Sequence, residues 1–182
     1  MLPSYFRLQY PAQDIQQQTE RIGIEATVWA NAISAQGRDI IAVPVLRGGI
    51  YFFADLMRQI NGSIEMAPVR TRSYVDSVNA AQRDRVEIQL DGLDVSGRAL
   101  LLVDDICDSG RTLKVLKEHL LEKGASEVRS AVLIRRIHDA SVFEPDWSAF
   151  HYDGPEWFVG YGMEDQNRWT NLPDIYTIPP AA

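Results

Sequence analysis

The stretch LLLVDDICDSGRTL, residues 100–113, holds the densest chemistry in the chain. An apolar run ends in Asp104 and Asp105, two apolar residues follow, and Asp108-Ser109-Gly110-Arg111-Thr112 then opens a segment of helical spacing. The two adjacent carboxylates close a strand, where neighbouring side chains alternate, so they are expected to point to different sides. The turn after them offers backbone N–H groups, two hydroxyls and a helix N-terminus, which together suit a phosphate. It is neither a GxGxxG loop nor a GxxxxGK[ST] loop. The plain alternative is that Asp108 or Ser109 only caps a helix. A second candidate for anion binding is Leu46-Arg47-Gly48-Gly49, at the end of the apolar run IIAVPVL. Cys107 has no histidine at a telling spacing and reads as a small buried apolar residue. His119, His138 and His151 lack metal-ligand spacing and read as surface or internally satisfied side chains. Arg70 and Arg72 either attract phosphate or form a solvated strand face.

Residues of this kind work at strand ends, and the flanking pattern supplies the strands. Ile15, Ile22, Ala26, Trp29 and Ile33 paint one stripe of a helix over 12–36, weakened at Gly23. A buried strand spans 40–46, with Pro44 marking a bulge or ladder gap, and a helix covers 51–60. Residues 65–74 alternate as a strand, 75–84 form a long polar loop, and 85–90 alternate as an antiparallel strand. ALLLV, 99–103, is short and wholly apolar, as a parallel strand covered on both faces would be. Leu113, Leu116, Leu120 and Leu121 give a helix that Gly124 ends, and 126–134 is another buried strand. This succession predicts an open α/β sheet with parallel crossovers and its ligand at the carboxyl ends of the strands.

The bulk numbers agree. A chain of 182 residues forms one domain and buries roughly 70% of its unfolded surface. With 46% hydrophobic and 24% charged residues it is globular. Eighteen Lys and Arg against 25 Asp and Glu leave a net charge of -7, which argues against bulk attraction to nucleic acid or anionic lipid. A single cysteine excludes an internal disulfide. No signal-type start and no span-length apolar run is present, so a cytoplasmic protein is expected.

The order Asp-Asp, two apolar residues, Asp-Ser-Gly-x-Thr resembles the signature of type I phosphoribosyltransferases. Other stretches are similar to the hypoxanthine-guanine branch of that family: VLRGGIYFFADLMRQI (45–60), Ser73-Tyr74, and WFVGYGMEDQNRWTNLP (157–173). The resemblance implies a twisted, mainly parallel sheet with a small hood. The whole chain, 1–182, would be one domain, its core over about 37–140 and its hood built from the N-terminal segment and about 141–182. It further implies a magnesium-dependent transfer from phosphoribosyl pyrophosphate to a purine base, by a homodimer or homotetramer. On that match Asp104 and Asp105 meet the ribose diol and the metal, and Asp108, Ser109, Gly110, Arg111 and Thr112 wrap the 5-phosphate. Leu46, Arg47 and Gly48 hold pyrophosphate, with a cis peptide between Leu46 and Arg47. Asp108 also faces the purine nitrogen N7, and Ser73 and Tyr74 belong to a lid. Trp157 stacks on the base, the Phe158 backbone reads its edge, and Glu164 stands near the metal, where an Asp is usual.

Two positions depart from the family pattern. FEPDW places Glu144 where a Lys usually meets the purine 6-oxygen, and Thr170 replaces an Arg that helps to hold pyrophosphate. Only one of Arg135 and Arg136 can face the pocket from one strand. Arg135, at a position that resembles that of the contacting Lys in the related xanthine-guanine enzymes, is expected to be that donor and the base to be a 6-oxopurine, with adenine as the alternative if Glu144 faces the base. A pyrimidine attenuation regulator of the same fold, which binds messenger RNA, carries a Tyr where this chain has Asp108. That difference and the acidic pI of about 4.9 favour the enzyme, with no nucleic acid partner.

Overall fold

The computed structural model describes residues 2–67, 70–73, 86–89 and 93–179. Its centre is a five-stranded parallel sheet, β3-β2-β6-β7-β8, formed by β2 (Ile40–Pro44), β3 (Glu65–Met66), β6 (Ala99–Cys107), β7 (Glu127–Arg136) and β8 (Trp147–Tyr152). Each apolar strand is covered on both faces. Ile40 and Ala42 pack with α1 (Ala12–Ser34) and α2 (Ile50–Gln59), whereas Ile41 and Val43 pack with α3 (Arg111–Glu122). Continuous runs such as ALLLV therefore suit the interior of a three-layer α/β/α stack.

From β2 the chain steps outward to β3, and from β6 it steps the other way through β7 to β8. The reversal lies between β2 and β6. Ligands in open α/β sheets bind outside the carboxyl ends of the strands at such a switch point. Here it carries the 46–49 loop after β2 and the 108–110 loop after β6.

A second, antiparallel sheet orders β1 (Arg7–Tyr10), β10 (Ile175–Ile178) and β9 (Trp157–Val159), joining the N-terminal segment to the end of the chain as a hood. A two-stranded antiparallel ribbon pairs β4 (Arg70–Ser73) with β5 (Val86–Gln89).

The fold departs from the sequence reading at four places. The stretch 65–74 is not one strand: Glu65–Met66 edges the main sheet and Arg70–Ser73 belongs to the ribbon. Residues 147–152, assigned above to the hood, form β8 of the main sheet. β6 continues past Val103 to Cys107, so Asp104 and Asp105 lie within the strand rather than closing it. Pro44 makes no bulge, since the register with β6 is unbroken to Pro44–Val103. Val45 N–H reaches the Val103 carbonyl, so Pro44 points to the other side, where β3 pairs only as far as Ala42–Met66. Gly23 also has a reason: a Cβ there would run into Gln59, where α1 and α2 cross closely. Tyr74 and the polar stretch 75–84 lie outside the described residues.

Candidate active site

A cleft of about 320 Å³ opens at the switch point, lined by Arg47 and Gly48 from the first loop, Asp105 and Ile106 from β6, and Trp157, Phe158, Met163 and Glu164 from the hood. Clefts of about 400 Å³ beside Asp55 and Arg58, and of about 460 Å³ beside Arg7 and Tyr152, are larger. Convergence of chemistry, rather than volume, marks the site.

Close backbone approach builds it. A Cβ on Gly48 would strike the Asp105 carboxylate, one on Gly49 would press at 3.1 Å on the Asp104 Cα, and one on Gly162 would meet the Gly48 carbonyl. The three glycines let the loop, the end of β6 and the hood touch. The Leu46–Arg47 peptide is cis, in line with the resemblance. Arg47 is exposed, with Nη2 3.6 Å from Glu164 Oε2 across the cleft mouth.

Asp104 and Asp105 do not ignore each other as strand alternation suggests. Asp105 N–H donates to Asp104 Oδ1 at 2.9 Å, and Ile106 N–H donates to Asp105 Oδ1 at 2.9 Å. Burial, then the Asp105 charge, push the Asp104 carboxyl well above its usual range. Cys107 is buried, and that burial raises its thiol to about 11, which keeps it neutral and inert.

The capping alternative holds in a weak form. The N-cap of α3 is Gly110, at φ 77°, which has no side chain to cap with, while Ser109 Oγ accepts from Arg111 N–H at 3.5 Å. A Cβ on Gly110 would collide with Phe143. The start of α3 is otherwise the kind of helix N-terminus that suits an anion. Asp108 turns elsewhere: its Oδ1 lies 3.3 Å from Arg136 Nε and 3.2 Å from His138 Nε2.

The two arginines of β7 part as alternation demands. Arg136 lies over the Phe158 ring, 5.1 Å from its centroid, donates to the carbonyls of Gly154 and Glu156, and pairs with Asp108. Arg135 instead pairs with Glu144 at 2.7 Å. Glu144 is the exposed member, at 74% of its side chain.

On the hood, Trp157 is 58% exposed and is anchored through its indole N–H to the Glu164 carbonyl at 2.9 Å, so it is not a core aromatic. Phe158 has its side chain in the core, which leaves its backbone for contact. Thr170 serves through its backbone, its carbonyl accepting from Gly162 N–H at 2.9 Å. Among the described residues no three His, Cys, Asp or Glu side chains converge as a metal cluster, so Asp104, Asp105 and Glu164 form no closed cage.

Sequence reasoning chose Arg135 over Arg136, read His138 as a surface or internally satisfied side chain, and did not single out Ile106, Gly162 or Met163. Ile106 could have been found, as an apolar residue set among the motif's carboxylates. For Gly162, Met163 and His138 no local signal exists, because elements that meet in space bring them there.

The phosphoribosyl transferase domain family matches residues 12–166. The chain is 34% identical over 159 residues to the hypoxanthine-guanine phosphoribosyltransferase of Streptococcus pneumoniae, covering 83% of this chain and 87% of that one. It is 31% identical over 171 residues to the enzyme of the same name from Mycobacterium avium, covering 93% and 83%. Among solved structures, a hypoxanthine phosphoribosyltransferase from Staphylococcus aureus superposes with a TM-score of 0.83 at 24% identity, over 96% of this chain and 91% of that one. One from Trypanosoma cruzi, in a ternary complex with its substrates, gives 0.84 at 20%, over 98% of each.

Proposed function

The chain belongs to the phosphoribosyltransferase family, and from that premise we propose how its cleft performs purine salvage. It transfers the phosphoribosyl group of phosphoribosyl pyrophosphate to a 6-oxopurine, hypoxanthine or guanine, and releases pyrophosphate. The observation that carries this reading is the meeting, in one cleft at the switch point, of the Arg47-Gly48 loop, the end of β6 and an exposed hood tryptophan.

The bond that breaks is at C1 of the sugar, and the work left to the protein is positioning, charge stabilisation and exclusion of water. Asp104 and Asp105 anchor the ribose diol, accepting from its hydroxyls. Ser109, Gly110, Arg111 and Thr112 hold the 5-phosphate at the start of α3. Leu46, Arg47 and Gly48 take the pyrophosphate, and Arg47 must release Glu164 to do so. Trp157 covers one face of the purine opposite Ile106, the Phe158 backbone meets its edge, and Asp108 accepts at N7. Ser73 and Tyr74 belong to the closing lid. Arg135, the donor expected at the 6-oxygen, is held by Glu144, and Arg136, bound to Asp108 and to the Gly154 and Glu156 carbonyls, acts on the base through Asp108.

Magnesium fits this donor set, because it is held by one or two carboxylates together with substrate phosphates rather than by an all-protein cage. Asp104, Asp105 and Glu164 are the carboxylates that would hold it, and it would neutralise charge on the departing pyrophosphate. The reading includes a cytoplasmic location and a homodimer or homotetramer. One Trypanosoma cruzi relative was studied for the effect of its C-terminal region on oligomeric state. Sedimentation giving a 20.5 kDa species would refute the oligomer. Among the described residues no helix is long and apolar enough to cross a membrane.

The test is incubation with phosphoribosyl pyrophosphate, magnesium and each purine in turn. The monophosphates of hypoxanthine and guanine are expected, falling to background in excess chelator. Full turnover in chelator, or product from adenine alone, contradicts the reading.

A further inference from the structure

Asp108 is approached from two sides, and the second partner is a histidine that no motif singles out. His138 Nε2 lies 3.2 Å from Asp108 Oδ1, the same oxygen that Arg136 Nε meets at 3.3 Å. At its other nitrogen, Nδ1, His138 accepts a hydrogen bond from the backbone N–H of Ala140 at 3.2 Å. A ring nitrogen that accepts carries no proton. The neutral imidazole therefore holds its one proton on Nε2, directed at Asp108, an assignment made from the partners.

The segment bearing His138 is tied to the same loop. Ser141 N–H returns to the His138 carbonyl at 3.1 Å, and Val142 N–H donates to the Ser109 carbonyl at 2.9 Å. The turn after β7 and the loop after β6 are thus joined through the backbone. Asp108 is 67% exposed, and an exposed carboxylate without such ties samples several rotamers. Arg136 and His138 reach it from two directions and fix one of its oxygens.

We propose that His138 is a positioning residue for Asp108. It donates from Nε2 to Oδ1 and, with Arg136, leaves Oδ2 for the ring nitrogen of the purine. His138 itself touches no reacting atom. The proposal rests on the reading of Asp108 as the contact to N7.

Steady-state kinetics with hypoxanthine, phosphoribosyl pyrophosphate and magnesium would compare the wild type with His138→Ala and His138→Gln. His138→Ala should lower kcat about 10-fold, as befits a lost hydrogen bond to a charged group, with KM for the sugar pyrophosphate and the melting temperature unchanged. His138→Gln, whose amide N–H reaches as far as Nε2–H, should recover most of kcat. Nitrogen NMR of the imidazole should show the Nε2–H tautomer. A His138→Ala kcat within about twofold of wild type, a rise in KM alone, a Gln variant as impaired as Ala, or an Nδ1–H tautomer would each overturn the proposal. A wild type that makes no monophosphate from hypoxanthine or guanine overturns the reading of Asp108 itself, and the NMR spectrum still reports the geometry.

Discussion

Asp104 and Asp108 sit four residues apart and are held in opposite ways. Asp104 is 8% exposed inside β6, where burial and the neighbouring Asp105 raise its carboxyl above the usual range. Asp108 is 67% exposed and is fixed by Arg136 and His138, side chains from and just beyond the next strand. The contrast extends to the two halves of the cleft. The half proposed to hold the sugar and phosphates is made of close backbone approach in two short loops and of the two carboxylates carried by β6. The half proposed to hold the base is made of ion pairs and hydrogen bonds that bridge β7, the turn after it and the hood. The glycine contacts tie the first half to the backbone, whereas the second can be retuned one side chain at a time.

If the base half acts through Asp108, Asp108→Asn should show the largest effect, a fall in kcat of about 10²- to 10⁴-fold with little change in affinity for the sugar pyrophosphate. An unchanged kcat would remove Asp108 from the reaction. Next comes the choice between the arginines. Arg136→Ala strips charge from Asp108 and leaves the Gly154 and Glu156 carbonyls without their donor, so kcat/KM for hypoxanthine should fall by roughly 10- to 150-fold. Arg135→Ala should cost less. The reverse order would mean that Arg135 leaves Glu144 and meets the base.

The same division governs how much could be read from the sequence. The parallel sheet, its helices and the loop that opens α3 were legible because each is a local pattern: an uninterrupted apolar run, leucines at helical spacing, Asp-Asp followed by Asp-Ser-Gly-x-Thr. The β6 boundary was misplaced because carboxylates look like a strand end, although this strand carries them inside its ladder to Cys107. β8 was missed since WSAFHY is short and only partly buried, a weak alternation that its pairing with β7 overrides. The partners of the two arginines were out of reach for another reason. Strand alternation says that Arg135 and Arg136 part, and only the hood, whose Phe158 comes from 22 positions further along, says which way each turns.

A smaller effect would sharpen the buried side. The folded carboxyl of Asp104 titrates above its unfolded value of 3.8, so the native state holds the proton more tightly than the unfolded chain. Its contribution to stability is then complete at pH below about 4 and is lost as pH rises toward the folded value. Asn cannot ionise. Metal-free Asp104→Asn should therefore melt on the order of a few degrees above the wild type near neutral pH, with the gap closing in acid. Equal melting temperatures across that range would mean that Asp104 is better solvated than its burial implies.

The smallest change expected is at Glu144, and it decides what the departure from the family pattern means. An ionised carboxylate only accepts hydrogen bonds, so Glu144 cannot replace a lysine as donor to a purine 6-oxygen. It faces solvent over most of its side chain and holds Arg135. Exposed pairs contribute about 0–1 kcal/mol, so Glu144→Ala should alter kcat/KM for hypoxanthine by less than about fivefold. By freeing Arg135 it could even raise that value. Adenine should remain a poor substrate in both proteins, since nothing in this geometry turns Glu144 to the base. If instead Glu144→Ala is the damaging change, or wild-type turnover is higher with adenine, Glu144 is a specificity residue. The base half would then have exchanged a donor for an acceptor while the Asp-Asp and Asp-Ser-Gly-x-Thr run stayed as the family has it.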